Sequence, residues 1–237
     1  MKIYEKILYK KKKKEVIIAA LLDPDSEKLE KLEDKIKLIE KSSIDFILVG
    51  GSTSWNSNFE KLTTKVKSLA SIPVIIFPGS AEQISSSADA ILFLSLLSGR
   101  NPRYLIEEQV KAASILKRMK IEVIPTGYIL IDGGKKTSVE LISGTKPIPQ
   151  ENIEKIVDTA YAAELLGMKL VYLECGSGAR RTAEENLIRE VKANIKIPLV
   201  VGGGIKSREE IEKKHKAGAD LIVIGNALEK DPTILLK

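Results

Sequence analysis

The chain has 237 residues, of which 43% are hydrophobic and 30% charged, with a formal net charge of +6. That composition supplies one sizeable core and excludes intrinsic disorder, and no apolar run reaches the length of a membrane span. A single cysteine excludes an internal disulfide and suits a reducing cytosol, and the sparse aromatics (5%) are not interleaved with the lysines as a single-strand nucleic-acid platform requires.

Apolar runs alternate with amphipathic stretches from end to end. The N-terminus carries lysines at 10–14 and lacks the apolar centre of a secretion signal. Residues 16–22 read as a first strand ending in Asp23-Pro24-Asp25, and Ser26 reads as the cap of a helix running to about residue 41. Residues 46–49 are a second strand ending in Gly50-Gly51-Ser52-Thr53, followed by a helix over 58–69. Residues 73–77 are a third strand ending in Pro78-Gly79-Ser80, with only a short helical turn predicted over 81–86. A fourth strand over 90–96 leads through Gly99-Arg100-Asn101-Pro102 into a long helix over 103–119. The fifth strand falls within 122–131, with Pro125-Thr126-Gly127 as an interruption, and a polar insert rich in Gly and Pro follows. A helix over 152–166 precedes the sixth strand at 170–173, which ends in Glu174-Cys175-Gly176-Ser177-Gly178. A helix over 182–193 leads to strands at 197–201 and 221–224. Ser207 caps the helix between them.

Apolar runs without strict alternation fit strands buried on both faces. Eight such strands, each entering a helix or turn, predict an α/β fold, a (β/α)8 TIM barrel with a reduced third helix, as one domain over 1–237. The G-x-G-x-x-G fingerprint of an open dinucleotide-binding sheet is missing after the first strand.

A barrel gathers its strand C-termini on one face. Gly202-Gly203-Gly204 after the seventh strand and Gly225-Asn226 after the eighth sit where such barrels bind phosphate through main-chain N–H groups. Gly176-Ser177-Gly178 extends the pattern to a third loop. Asp23 and Glu174 are the carboxylates at this face. Asp23 has two readings at this point, a hard oxygen ligand for Mg²⁺ beside Ser52, or an Asx-type turn before Pro24. Glu174 is suited to take a proton from a substrate hydroxyl, and Tyr172, two residues earlier, points to the same side of the strand. His215, the one histidine, lies in a lysine-rich helix, so a Ser-His-Asp triad has no support.

The series Leu22-Asp23-Pro24-Asp25, Val49-Gly50-Gly51-Ser52, Phe77-Pro78-Gly79-Ser80, Pro125-Thr126-Gly127-Tyr128, Tyr172-Leu173-Glu174-Cys175-Gly176-Ser177-Gly178-Ala179, Val201-Gly202-Gly203-Gly204-Ile205 and Gly225-Asn226 resembles the motifs of the geranylgeranylglyceryl phosphate synthases. The segments occur in that family's order and span most of the chain. The resemblance implies a Mg²⁺-dependent prenyltransferase that joins geranylgeranyl diphosphate to sn-glycerol 1-phosphate, making the first ether bond of archaeal-type membrane lipids. It assigns Mg²⁺ to Asp23 and Ser52. It assigns glycerol phosphate to Tyr172, Leu173, Glu174, Cys175, Gly176, Ser177, Gly178, Gly203, Gly204, Gly225 and Asn226, with Glu174 and Tyr172 catalytic. Cys175 stands where the family pattern has alanine. Lys135, Lys136 and Lys146 in the insert are candidates to screen the diphosphate, and Leu94, Leu96, Leu97, Tyr104 and Ile129 are candidates to line a groove for the tail. A homo-oligomer in the cytoplasm is expected, with transient contact at a membrane surface and no nucleic-acid partner. The alternatives are a heptaprenyl-using synthase, another sugar-phosphate barrel enzyme and a non-catalytic phosphometabolite binder.

Overall fold

The computed structural model describes residues 1–51, 58–225 and 227–228. Eight parallel strands close a barrel in chain order: β1 (Ile17–Leu22), β2 (Phe46–Val49), β3 (Val74–Ile76), β4 (Ala90–Leu96), β5 (Glu122–Leu130), β6 (Leu170–Glu174), β7 (Leu199–Gly202) and β8 (Leu221–Ile224), which pairs back onto β1. The helices are α1 (Ile3–Lys12), α2 (Leu32–Glu40), α3 (Asn58–Leu69), α4 (Glu108–Arg118), α5 (Ser138–Ser143), α6 (Ile153–Leu165), α7 (Glu185–Asn194) and α8 (Arg208–Ala217).

Strand residues alternate between two cores. In β6, Val171, Leu173 and Cys175 face the helical layer, while Leu170 and Tyr172 fill the barrel interior with Ile17, Ala19, Phe46, Leu48, Ile75, Val200 and Val223. Carrying that alternation past the strand ends puts Asp23 and Glu174 on the interior side of the mouth. Ser207 caps α8 by accepting from the Glu210 N–H at 3.2 Å, and Asn152 caps α6 by accepting from the Lys155 N–H at 3.3 Å.

Five elements depart from the sequence reading. The helix expected from Ser26 begins only at Leu32, because Asp23 holds residues 23–26 in a turn: its carboxylate accepts the Asp25 N–H at 3.0 Å, and the Ser26 hydroxyl donates to its carbonyl at 3.2 Å. β5 runs unbroken through Pro125-Thr126-Gly127, since Pro125 accepts an extended conformation and Gly127 admits the Ala163 methyl and Leu97 against the strand. No helix forms over 81–86, where the chain makes only turns. Two helices were not expected. α5 forms in the insert, capped by the Thr137 hydroxyl. α1 closes the barrel floor with Ile3 and Ile7, its first N–H groups (Ile3 and Tyr4) donating to the Glu122 carboxylate at 2.6 and 3.1 Å.

Candidate active site

Glu174 ends β6 opposite Leu130 on β5 and Gly202 on β7. It is buried, and its Oε1 accepts the Gly176 N–H at 2.6 Å, which fixes the carboxylate at the mouth. Burial pushes this carboxyl above the ordinary glutamate range, while the neighbouring Tyr172 hydroxyl and the Gly176 N–H pull part of the way back. The Tyr172 hydroxyl is fully buried and falls short of hydrogen-bond geometry with any partner among the described residues. A buried phenol left in this state beside a carboxylate is a place for a polar ligand. Burial, reinforced by the Glu174 charge, raises the Tyr172 phenol well above its ordinary value, so it stays protonated.

The glycines follow from these two side chains. A Cβ on Gly202 would collide with the Tyr172 hydroxyl, and one on Gly203 would lie 2.5 Å from Glu174 Oε1 and 2.7 Å from the Gly176 nitrogen. Gly203 and Gly204 have φ of +89° and +76°, so successive N–H groups turn toward one concave side, a nest suited to an anion. Among the described residues, neither of those N–H groups donates to a carbonyl. Gly176 and Gly178 are also left-handed, at +93° and +66°, and their loop adjoins the Gly203 turn. Ser177, Gly178 and Gly225 lie at this rim and are at least partly exposed. Leu173 and Cys175 face outward into the helical layer, and the Cys175 N–H is taken by the Gly202 carbonyl at 3.1 Å, so neither side chain meets the cradle. Asn226 and Ser52 lie outside the described residues, as does Thr53.

Asp23 stands across the mouth. Its two carboxylate oxygens lie 2.9 Å from the point where a Cβ on Gly51 would sit, so only glycine leaves room for them there. The Asx-turn of Asp23 is formed: its Oδ1 accepts the Asp25 N–H at 3.0 Å. Among the described residues, no cluster of three or more His, Cys, Asp or Glu side chains surrounds a common point.

Beside the mouth lies an apolar groove enclosing about 820 Å³, part of it open to solvent. No helix forms between β3 and β4, and the groove is lined there by Ile91 and Phe93 from the outer face of β4. Phe77, Leu96, Tyr128 and Tyr104 continue its wall toward the mouth. Leu94 and Tyr104, expected in such a groove, line it together with Leu96, whereas Leu97 and Ile129 do not. The rings of Phe77, Tyr128 and Tyr172 form a trio with centroids 5.3–5.9 Å apart, joining the groove to Glu174. Of the insert lysines, the Lys135 ammonium reaches Gly178, 3.5 Å from its Cβ position, while Lys136 and Lys146 are exposed. Sequence reasoning missed the groove walls from α5, Val139 and Ile142, because that helix was not foreseen.

The PcrB family profile matches residues 9–237. The chain belongs to the PcrB family. Curated relatives of this PcrB-family chain include the geranylgeranylglyceryl phosphate synthase of Flavobacterium johnsoniae, 49% identical over 97% of this chain and 94% of that protein. The protein of the same name from Pyrococcus horikoshii is 41% identical over 95% of this chain and 89% of its own length. Among solved structures, the (S)-3-O-geranylgeranylglyceryl phosphate synthase of Thermoplasma acidophilum, in complex with substrate sn-glycerol-1-phosphate, superposes with a TM-score of 0.93 at 36% identity, covering 100% of this chain and 95% of that one.

Proposed function

We propose that this PcrB-family chain is a prenyltransferase that joins geranylgeranyl diphosphate to sn-glycerol 1-phosphate, forming the first ether bond of archaeal-type membrane lipids. The observation that carries this reading is the position of Glu174: a buried carboxylate, hydrogen-bonded to the Gly176 N–H at 2.6 Å, set between a glycine cradle and an apolar groove. The cradle of Gly176, Gly178, Gly203 and Gly204 takes the phosphate of the three-carbon substrate. That places its far hydroxyl at Glu174, where Tyr172 donates a hydrogen bond that fixes its direction. The isoprenoid tail lies in the groove, with its reactive carbon at the aromatic trio.

In the reaction the bond from that carbon to the diphosphate oxygen breaks, and the diphosphate leaves with the electron pair. The glycerol C3 oxygen forms the new C–O bond and its proton passes to Glu174. The ring faces of Phe77 and Tyr128 suit the positive charge that develops on the allylic carbon. The protein's main contribution is to hold the hydroxyl in line and keep water from competing.

Mg²⁺ belongs to this reading. A Mg²⁺ ion takes one or two carboxylates and completes its shell with water and substrate phosphate, so the Asp23 carboxylate at the mouth fits it without a protein-built cage. When bound, the ion supplies positive charge to the departing diphosphate. Asp23→Asn is expected to raise the Mg²⁺ concentration needed for half-maximal turnover roughly tenfold or more, in line with the loss of one charged ligand; an unchanged Mg²⁺ titration would remove Asp23 from this role.

No helix among the described residues is long and apolar enough to cross a membrane. The same reading places the enzyme in the cytoplasm as a homo-oligomer that touches a membrane surface to collect its lipid substrate. Product analysis tests the function: an ether product and free diphosphate are expected with sn-glycerol 1-phosphate and a C20 diphosphate. Equal use of the opposite glycerol phosphate enantiomer, or binding without diphosphate release, would refute it. A longer preferred tail would favour the heptaprenyl alternative.

A further inference from the structure

We propose that Lys135 clamps the phosphate of the glycerol substrate, and that it does not serve the diphosphate. This rests on the prenyltransferase reading of the site.

The loop between β5 and α5 is strapped across the loop that follows β6. The Gly133 carbonyl accepts the Arg180 and Arg181 N–H groups at 2.9 and 3.0 Å, and Thr137 packs against Gly176 where a Cβ would not fit. The strap delivers the Lys135 ammonium to within 3.5 Å of the Gly178 Cβ position. Gly178 belongs to the same turn as Gly176, whose nitrogen adjoins Gly203. The ammonium therefore stands at the phosphate end of the site. The tail groove takes its walls from the connection after β3, from β4 and α4, from Tyr128 of β5, and from Val139 and Ile142 farther along the insert.

Charge balance points the same way. Asp132 is the carboxylate of this strap, and it is engaged by the Arg181 guanidinium. Among the described residues no carboxylate pairs with Lys135. The cradle itself offers main-chain N–H groups, which carry partial charges, whereas a phosphate monoester brings close to two negative charges. A flexible ammonium over the rim supplies a full opposite charge and needs little geometric precision, as suits lysine rather than arginine.

The test uses the full-length enzyme and its Lys135→Ala, Lys135→Met and Lys135→Arg variants. KM is measured for each substrate separately, and sn-glycerol 1-phosphate binding is measured by calorimetry in the absence of the diphosphate. Alanine and methionine are expected to raise both the KM and the Kd for glycerol phosphate roughly tenfold, the size of one charge-assisted hydrogen bond. The KM for prenyl diphosphate and kcat should stay within about twofold, and arginine should recover most of the affinity. Unchanged glycerol phosphate binding, or a loss confined to the diphosphate KM, would overturn the assignment. A wild-type enzyme that bound no glycerol phosphate would instead bring down the functional reading itself.

Discussion

An ordinary glutamate on a protein surface is ionised at neutral pH and surrounded by water. Glu174 is buried at a strand end, and among the described residues no lysine or arginine forms an ion pair with it. Its charged form is therefore costly, and its proton is held to higher pH than in an exposed glutamate. Two consequences follow. In the proposed role of base, Glu174 should make kcat/KM fall as pH drops through the raised value, placing the acid limb above the usual ~4.3 of glutamate. A limb at or below that value would contradict the role. The unfolded chain ionises this group more readily, so the stability it contributes is complete below the unfolded pKa and is lost as pH rises through the folded one. Glu174→Gln keeps an acceptor for the Gly176 N–H and removes the buried charge. Turnover should drop roughly 10²- to 10⁴-fold, while Tm at pH 8 should hold or rise. A large fall in Tm would mean that the residue is structural.

At the scale of elements, the glycine loops separate space from conformation. Gly203→Ala places a methyl 2.5 Å from Glu174 Oε1 at a φ of +89° and should remove activity, even where the protein still folds. Gly144 has a φ of +65° with nothing within 4 Å of its Cβ position, so Gly144→Ala carries only the backbone cost, roughly 1–2 kcal/mol, and should spare kcat/KM. Equal activity losses in the two variants would show that left-handed backbone, rather than the room around Glu174, governs the site. The sequence made the strands legible because a parallel barrel strand is a plain apolar run: β2, β4 and β8 begin and end where those runs do. It made the cradle legible because glycine at a strand end has few other uses. It hid the short helices. In α1 the apolar pair Ile3 and Ile7 sits four apart among lysines, too few positions for a periodic signal, and α5 spans six residues within a Gly/Pro-rich insert. The late start of α2 was hidden as well, since Asp23 holds in a turn the residues where Ser26 was expected to cap the helix. The groove was legible in part, since Leu94, Leu96 and Tyr104 line it as expected. The rest of its walls needed the tertiary structure.

Across the whole molecule, stability and chemistry lie at opposite ends of the barrel, as the fold ordinarily arranges them. The floor is sealed by α1, with Ile7 only 1% exposed within the interior cluster and the helix start held by Glu122. Ile7→Ala should cost about 2–5 kcal/mol in denaturant unfolding and leave both KM values unchanged. A shift in either KM would reveal coupling between the ends that the architecture does not provide. At the other end, in the proposed function, main-chain N–H groups of the β6 and β7 loops seat a phosphate so that a hydroxyl of the same molecule meets Glu174. A crystal structure of this chain soaked with sn-glycerol 1-phosphate measures that directly. The account predicts the phosphate against Gly176, Gly178, Gly203 and Gly204, and the terminal hydroxyl within hydrogen-bond distance of the Glu174 carboxylate. Phosphate seated beside Asp23 instead, or a hydroxyl turned away from Glu174, would contradict it.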